Sequence, residues 1–404
     1  MRILSILAQK PSSTGSGVYL MELVRQFSLQ GQEQAVIAGV YEEDPSPFPE
    51  EVRYRPVTFK TTGLPFPIFG MSDEMPYESS RYRDMTPAIR RQFADAFLQA
   101  LDEVVASFSP DLILCHHLYL LTALVREHLP RHRIYGFCHN TDLRQMVKTD
   151  LERDFIRDQI RRLDRIFVPQ LSQQEEVRRI FGVEEEKIRQ IDIGYNQEIF
   201  SMRKKEDKRS GSASSYGEKR LIFAGKISEK KGVFSLLRAL TLLAKKGERF
   251  TLTLAGGAGD LEEYERIRKM AKEAPYPVTF TGRLSQEELA DRYLASDLFV
   301  LPSFYDAIPL VVIEALACSC KVVVSELPGI RSWFDTNAKS ADIRYVPLPR
   351  MQQADEPVKE ELPLFEERLA GEMEKALHDP KSADPRAVEG LSWKALAGKV
   401  LCED

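Results

Sequence analysis

The chain has 404 residues, 43% of them hydrophobic and 29% charged, with a formal net charge of -5. That length accommodates two ordinary domains with substantial cores. The charge balance argues against a sequence-independent grip on nucleic acid, which needs a clustered basic surface, and leaves room only for a local basic patch.

Along the chain, short β-rich runs alternate with amphipathic helical segments, the pattern of parallel sheets with helices on both faces. RILSILA predicts the first strand, and QKPSSTGSGVYLMELV a loop and helix with Gly15 and Gly17 at the turn. Glycines there let backbone amides approach an anion at a helix start. The three-glycine dinucleotide spacing is absent, so an anion site and an ordinary tight turn both stand. QAVIAGV, DLILC, RIYGFC and RIFVP predict further strands. Thr86 as cap, Pro87 in the first turn, and Ile89, Phe93, Phe97, Leu101, Val104 and Val105 at helical spacing predict a long helix. His116, His117 and His139 each follow a strand, at the carboxyl ends where open α/β sheets bind ligands. They point to a site, and not to zinc, since ligand spacing is missing.

SMRKKEDKRSGSASSYGEKR is a linker by composition. It divides a first domain over residues 1–200 from a second over 220–385, with the linker at 201–219 and a final helical segment over 386–404. The largest cleft is expected between the domains. RLIFAG, TLTLAG, VTFTG, LFVLPS and KVVVS predict the second sheet. In LIFAGKISEKKG, Lys226 and Lys231 flank the turn that leaves a strand, where flexible ammonium groups suit phosphate. A solvated basic loop is the alternative. FYDAIPLVVIEALACSC places Asp306 on a loop, Pro309 at the first helical position and Glu314 in an apolar helix with little polar face. An ionised carboxylate there needs donors, from a ligand's hydroxyls or from a neighbouring amide or Arg. The five cysteines are few, odd in number and mostly set in apolar runs, which predicts reduced thiols. Cys318 and Cys320 lack the second ligand pair of a zinc site. No run is long enough for a signal peptide or membrane span. A cytoplasmic protein is expected, with room for peripheral contact at the inner membrane face.

With these residues in place, nearly the whole chain resembles the retaining GT-B glycosyltransferases of family 4. GKISEKKGVFSLLRAL, LTLAGGAGD, VTFTGRLSQEELADRYLASDLFVLPS and DAIPLVVIEALACSCKVVVSELPGI follow that family's order and spacing; GSGVY and GFCHNTD match more loosely. The resemblance implies two Rossmann-like domains, a final helix that crosses back to the first, and transfer of a hexosyl unit from a nucleotide-diphosphate sugar to a hydroxyl acceptor. It implies no cofactor and no metal. Of the family's two glutamates, the second falls on Glu314, which would bind the ribose hydroxyls, and the first is here Asp306, against the sugar. The diphosphate cations fall on Lys226, in place of the usual Arg, and Lys231, and Ser319 replaces a glycine. Gly15, Gly17, Ile308, Pro309 and Leu310 would also meet the donor, Arg283 the base pocket, and His139 the donor sugar. His116, His117, Asp142, Arg144 and residues 70–83 would shape the acceptor side. UDP is the nucleotide expected from family frequency. The rivals are a glycoside phosphorylase on this scaffold, a non-catalytic two-lobed sugar- or nucleotide-binding protein, and a nicotinamide-dependent dehydrogenase, which the missing glycine fingerprint disfavours.

Overall fold

The computed structural model describes residues 1–11, 13–72, 75–169, 171–191, 194–201, 219–306, 309–352 and 356–402, the side chains of 171 and 172 excepted. Most of the expected linker, residues 202–218, lies outside them. The chain forms two compact units, Met1–Ile193 with Ala397–Asp404, and Gly194–Leu396. The first ends ahead of position 200 because Tyr195 and Phe200 belong to the second unit's hydrophobic core.

The first unit runs β1 (Arg2–Leu7), α1 (Gly15–Leu29), β2 (Glu33–Val40), β3 (Arg53–Thr58), the short β4 (Phe69–Gly70) and β5 (Ser80–Arg81), and α2 (Pro87–Phe108). It continues with β6 (Leu112–His116), α3 (Leu120–His128), β7 (Ile134–Phe137), α4 (Thr141–Lys148), α5 (Arg153–Ile160), β8 (Arg165–Val168), α6 (Leu171–Phe181) and β9 (Ile188–Gln190). Its main sheet is parallel throughout, ordered β3-β2-β1-β6-β7-β8-β9. Helices cover both faces of such a sheet, so the central strands bury both sides and read as unbroken apolar runs. All five residues of β6 are buried. The long helix α2 starts as its sequence predicts, with the Thr86 hydroxyl accepting the Ile89 amide at 3.3 Å.

The second unit runs β10 (Lys219–Ala224), α7 (Val233–Lys245), β11 (Phe250–Ala255), α8 (Leu261–Lys272), β12 (Val278–Gly282), α9 (Gln286–Leu294) and β13 (Leu298–Leu301). Then come α10 (Leu310–Ala317), β14 (Lys321–Ser325), α11 (Ile330–Asn337), β15 (Ile343–Val346) and α12 (Leu362–His378), and last α13 (Trp393–Leu401), whose residues from Ala397 belong to the first unit. The sheet order is β12-β11-β10-β13-β14-β15, again all parallel. A capping box starts α9: the Ser285 hydroxyl accepts the Glu288 amide at 3.2 Å, and the Glu288 carboxylate accepts the Ser285 amide at 2.8 Å. The expected helix from 386 is shorter, because Pro385–Leu391 forms a tight 3-10 segment before α13.

Helix α10 ends in a conformation that glycine normally supplies. Ser319 has φ 64°, left-handed, just past the last turn, where an L side chain costs roughly 1–2 kcal/mol. Its hydroxyl donates to the Ala383 carbonyl at 2.7 Å, which offsets about 1 kcal/mol. Ser319→Ala keeps the strain and loses the bond, so it should lower stability by about 1 kcal/mol. Ser319→Gly removes both and should lie within about 0.5 kcal/mol of the parent. Urea unfolding midpoints of the two variants check this.

Candidate active site

In each main sheet the strand order reverses beside the unit's first strand, and loops leaving the carboxyl ends there bound a crevice. In the second unit these are the loops after β10 and β13. Gly256, at φ 146°, brings the loop after β11 onto the loop after β10: a Cβ on it would lie 1.8 Å from the Gly225 carbonyl oxygen. Gly232, at φ 71°, caps α7, and a Cβ there would lie 1.9 Å from the Pro302 carbonyl oxygen. The Phe304 amide donates to the Lys230 carbonyl at 2.9 Å, tying the loops after β10 and β13 together.

That tie sets Lys231 against Asp306. The ammonium donates to Oδ2 at 2.6 Å and reaches the Tyr305 carbonyl at 3.4 Å, with the two side chains 25% and 23% exposed. Sequence expectation gave these residues separate parts of a ligand, whereas here they neutralise each other. Lys226 is exposed and has no ion pair among the described residues. Its stem crosses Gly259, where a Cβ would meet Lys226 Cε at 2.6 Å. Exposed Arg283 likewise lies over Gly257, its Nε 2.9 Å from where a Cβ would sit. Lys226, Arg283 and Val311 line a cavity of about 400 Å³. Lys226 and Lys231 also line a larger one of about 820 Å³.

Pro309 is the cap of α10 and not its first helical residue, because its ψ of 112° is extended; Leu310 opens the helix. Ile308 lies outside the described residues. The amides of Leu310 and Val311 have no carbonyl of their own helix to reach. Glu314, 8% exposed, has a carboxylate with no hydrogen bond among the described residues, and burial pushes its pKa up to about 7. Holding it charged at neutral pH therefore costs the fold up to roughly 3 kcal/mol. Val311 and Glu314, three positions apart, share a helix face.

In the first unit Gly15 and Gly17 lie inside the first turn of α1, not in the loop before it. The Thr14 hydroxyl accepts the Gly17 amide at 3.1 Å, so that amide is already used. Gly17 instead allows close packing, since a Cβ on it would lie 2.7 Å from the Lys10 carbonyl oxygen. Gly15 has open space around it.

The three histidines do assemble. His116 Nδ1 is 3.1 Å from His139 Nε2, and the His117 and His139 ring centroids are 4.8 Å apart. Burial holds all three pKa values down, His139 to about 3, and the neighbouring rings depress His116 and His117 further. The cluster is therefore uncharged at neutral pH. His117 and Asn140 have left-handed backbones, φ 72° and 67°, a strain that the surroundings must sustain. Asp142 supplies that support from beneath: 0% exposed, its carboxylate accepts the amides of Leu118 at 2.8 Å and of His139 and Leu143 at 3.2 Å. Burial raises its pKa against these amides. Asp142 thus does not reach the surface, while Arg144 is exposed. Within residues 70–83, Tyr82 is buried edge-on to Tyr119 at 4.9 Å, and the Gln145 side chain donates to the Met71 carbonyl at 3.0 Å. Tyr19, the last residue of GSGVY, packs edge-on to His139 at 5.4 Å.

A solved structure, that of Anabaena HepE in complex with UDP-glucose, shares this fold with a TM-score of 0.59 at 14% identity, over 99% of this chain and 98% of that one. The two doubly wound sheets are those of the GT-B architecture. The families described as Glycosyltransferase Family 4 and Glycosyl transferases group 1 match residues 13–198 and 204–340. The two matches fall in the two halves of the chain, each over less than half of its length, and the fold they accompany is GT-B. An uncharacterized glycosyltransferase of Methanocaldococcus jannaschii is 29% identical over 163 residues, 39% of this chain and 41% of that protein. A D-inositol 3-phosphate glycosyltransferase of Streptomyces bingchenggensis is 30% identical over 179 residues, 41% of this chain and 39% of its own. The chain spans about two fifths of the length of these curated relatives. Among the described residues no helix is long and apolar enough to cross a membrane.

Glu314 gives a pH test that needs no ligand. Its folded pKa of about 7 lies above the ordinary value of 4.5, so the folded chain holds this proton more tightly than the unfolded one. The favourable contribution is complete below pH 4.5 and is lost as pH rises through 7. Glu314→Gln should match the parent near pH 4 and exceed it in stability by roughly 2–3 kcal/mol at pH 8, as read from urea unfolding at the two pH values.

Proposed function

We propose that this chain transfers a hexosyl unit from a nucleotide-diphosphate sugar to a hydroxyl acceptor, with retention of anomeric configuration and without a metal ion. The second unit would hold the donor and the first the acceptor. One observation carries the reading: at the second sheet's reversal point lie Lys226 and a buried carboxylate, Glu314, neither with a partner among the described residues, and the Lys231–Asp306 pair, on two adjoining loops and the helix that follows. A nucleoside diphosphate satisfies that set. Its ribose hydroxyls donate to Glu314, and its phosphates take Lys226, Lys231 and the amides that open α10. The UDP-glucose bound by the Anabaena relative supports a nucleotide-sugar donor, with UDP as the nucleotide.

In this mechanism the bond between the anomeric carbon and the phosphate oxygen breaks first. Negative charge gathers on the leaving diphosphate, where ammonium groups and amide dipoles stabilise it more than in the ground state. The acceptor hydroxyl attacks from the face the nucleotide leaves, its oxygen bonds to the anomeric carbon, and its proton passes to a phosphate oxygen. Asp306 meets the transferred sugar's hydroxyls and, by pairing with Lys231, lowers the charge of the empty site. The neutral His139 hydrogen-bonds the sugar.

Incubation with UDP-hexoses, following UDP release with and without acceptors and the product's anomeric configuration, tests the proposal. If no nucleoside diphosphate raises the melting temperature and no donor is cleaved, the reading fails. Lys226→Ala should lower kcat by roughly 10- to 100-fold, one charge-assisted contact. Lys231→Ala should lower it further, because it also leaves Asp306 facing the diphosphate unpaired. Both variants should keep the parent's circular dichroism, and a chelator should leave turnover unchanged.

A further inference from the structure

His139 meets the protein through one ring nitrogen. Its Nε2 lies 3.1 Å from His116 Nδ1, with the rings stacked at 5.4 Å and 15°. Its Nδ1 has no hydrogen bond among the described residues. His116 is enclosed: it stacks on Phe137 at 5.0 Å and 11°, meets the Tyr19 edge at 6.1 Å, and its Nε2 is buried without a partner. A neutral imidazole carries one N–H and one lone pair. Two proton arrangements therefore fit the contact. If His139 donates, His116 keeps its proton on Nε2, which strands a buried N–H with no acceptor. If His116 donates from Nδ1, only a lone pair is stranded. Orphaned N–H groups are rarer in protein interiors than under-used acceptors, so the second arrangement is favoured.

We propose that His116 is a positioning residue that donates from Nδ1 to His139 Nε2 and holds His139 as the Nδ1–H tautomer, so that His139 offers the substrate a hydrogen-bond donor and no basic lone pair. The ligand atom it suits is an oxygen with a lone pair, such as a sugar hydroxyl. Burial keeps both rings neutral, which preserves the single-proton accounting. Only the identity of that ligand rests on the proposed function; the tautomer does not.

The six histidines of the chain make a direct measurement feasible. Long-range proton–nitrogen correlation spectra of the full chain labelled with 15N-histidine, recorded near neutral pH without substrate, should show His139 protonated on Nδ1 and bare on Nε2. The reverse pattern overturns the proposal. His116→Leu removes the donor: His139 should then lose its single Nδ1–H form, and kcat should fall about tenfold with little change in KM. His116→Asn places an amide donor near the lost Nδ1 and should recover most of both losses. A folded His116→Leu that keeps the His139 pattern overturns the idea. If that variant does not fold, the parent and His116→Asn spectra decide. The stated tautomer in a chain that cleaves no nucleotide sugar would uphold this assignment and overturn the proposed function.

Discussion

The Gly256 backbone lies so close to the Gly225 carbonyl that no side chain fits between them, and the arrangement of the candidate site in the second unit depends on that contact. Parallel strands deliver all their carboxyl ends to one sheet edge, but loops with side chains at every position would hold those ends apart. Glycine at 232, 256, 257 and 259 removes the obstruction, and the stems of Lys226 and Arg283 lie across the space vacated at 259 and 257. The close backbone approach thus places two cations at the rim of a single cavity. Once the loops after β10 and β13 are tied, Lys231 and Asp306 fall within hydrogen-bond reach without further design.

The fold was legible wherever burial was two-sided. Central strands such as β6 and β13 are apolar along their whole length, and the sequence marks them plainly. Besides the short β4 and β5, three strands of the main sheets escaped: β3 (RYRPVT), β9 (IRQ) and β15 (IRYV). All three are edges of their sheets. An edge needs only one apolar face, tolerates charge, and can hold a proline such as Pro56 where a ladder donor is dispensable. The absence of an apolar run there is a consequence of position in the sheet, which a single sequence does not disclose.

The candidate site divides along the same line. Residues attached to strand ends, His116, His117, His139, Lys226 and Lys231, could be found because the strands beside them were readable. The pairing of Lys231 with Asp306 spans 75 positions, and no local pattern carries it. Tyr19, at the end of GSGVY, was given no role for a similar reason, since its meaning lies in ring contacts with side chains about a hundred residues away. The glycines of GSGVY were visible, but their task was not: Gly17 serves packing against Lys10, and its amide is spent on Thr14.

Asp142 carries a different implication. One sunken carboxylate holds the loop after β6 through Leu118 and the loop after β7 through His139, chiefly through main-chain amides, with the Cys138 thiol also donating to it at 3.5 Å. Because it grips backbone, it is indifferent to which side chains those loops present. Exposed neighbours such as Arg144 can therefore be exchanged without disturbing the frame that carries them. The anchor and the exposed side chains are mechanically separate, and that separation lets one scaffold change its outermost side chains without changing its frame.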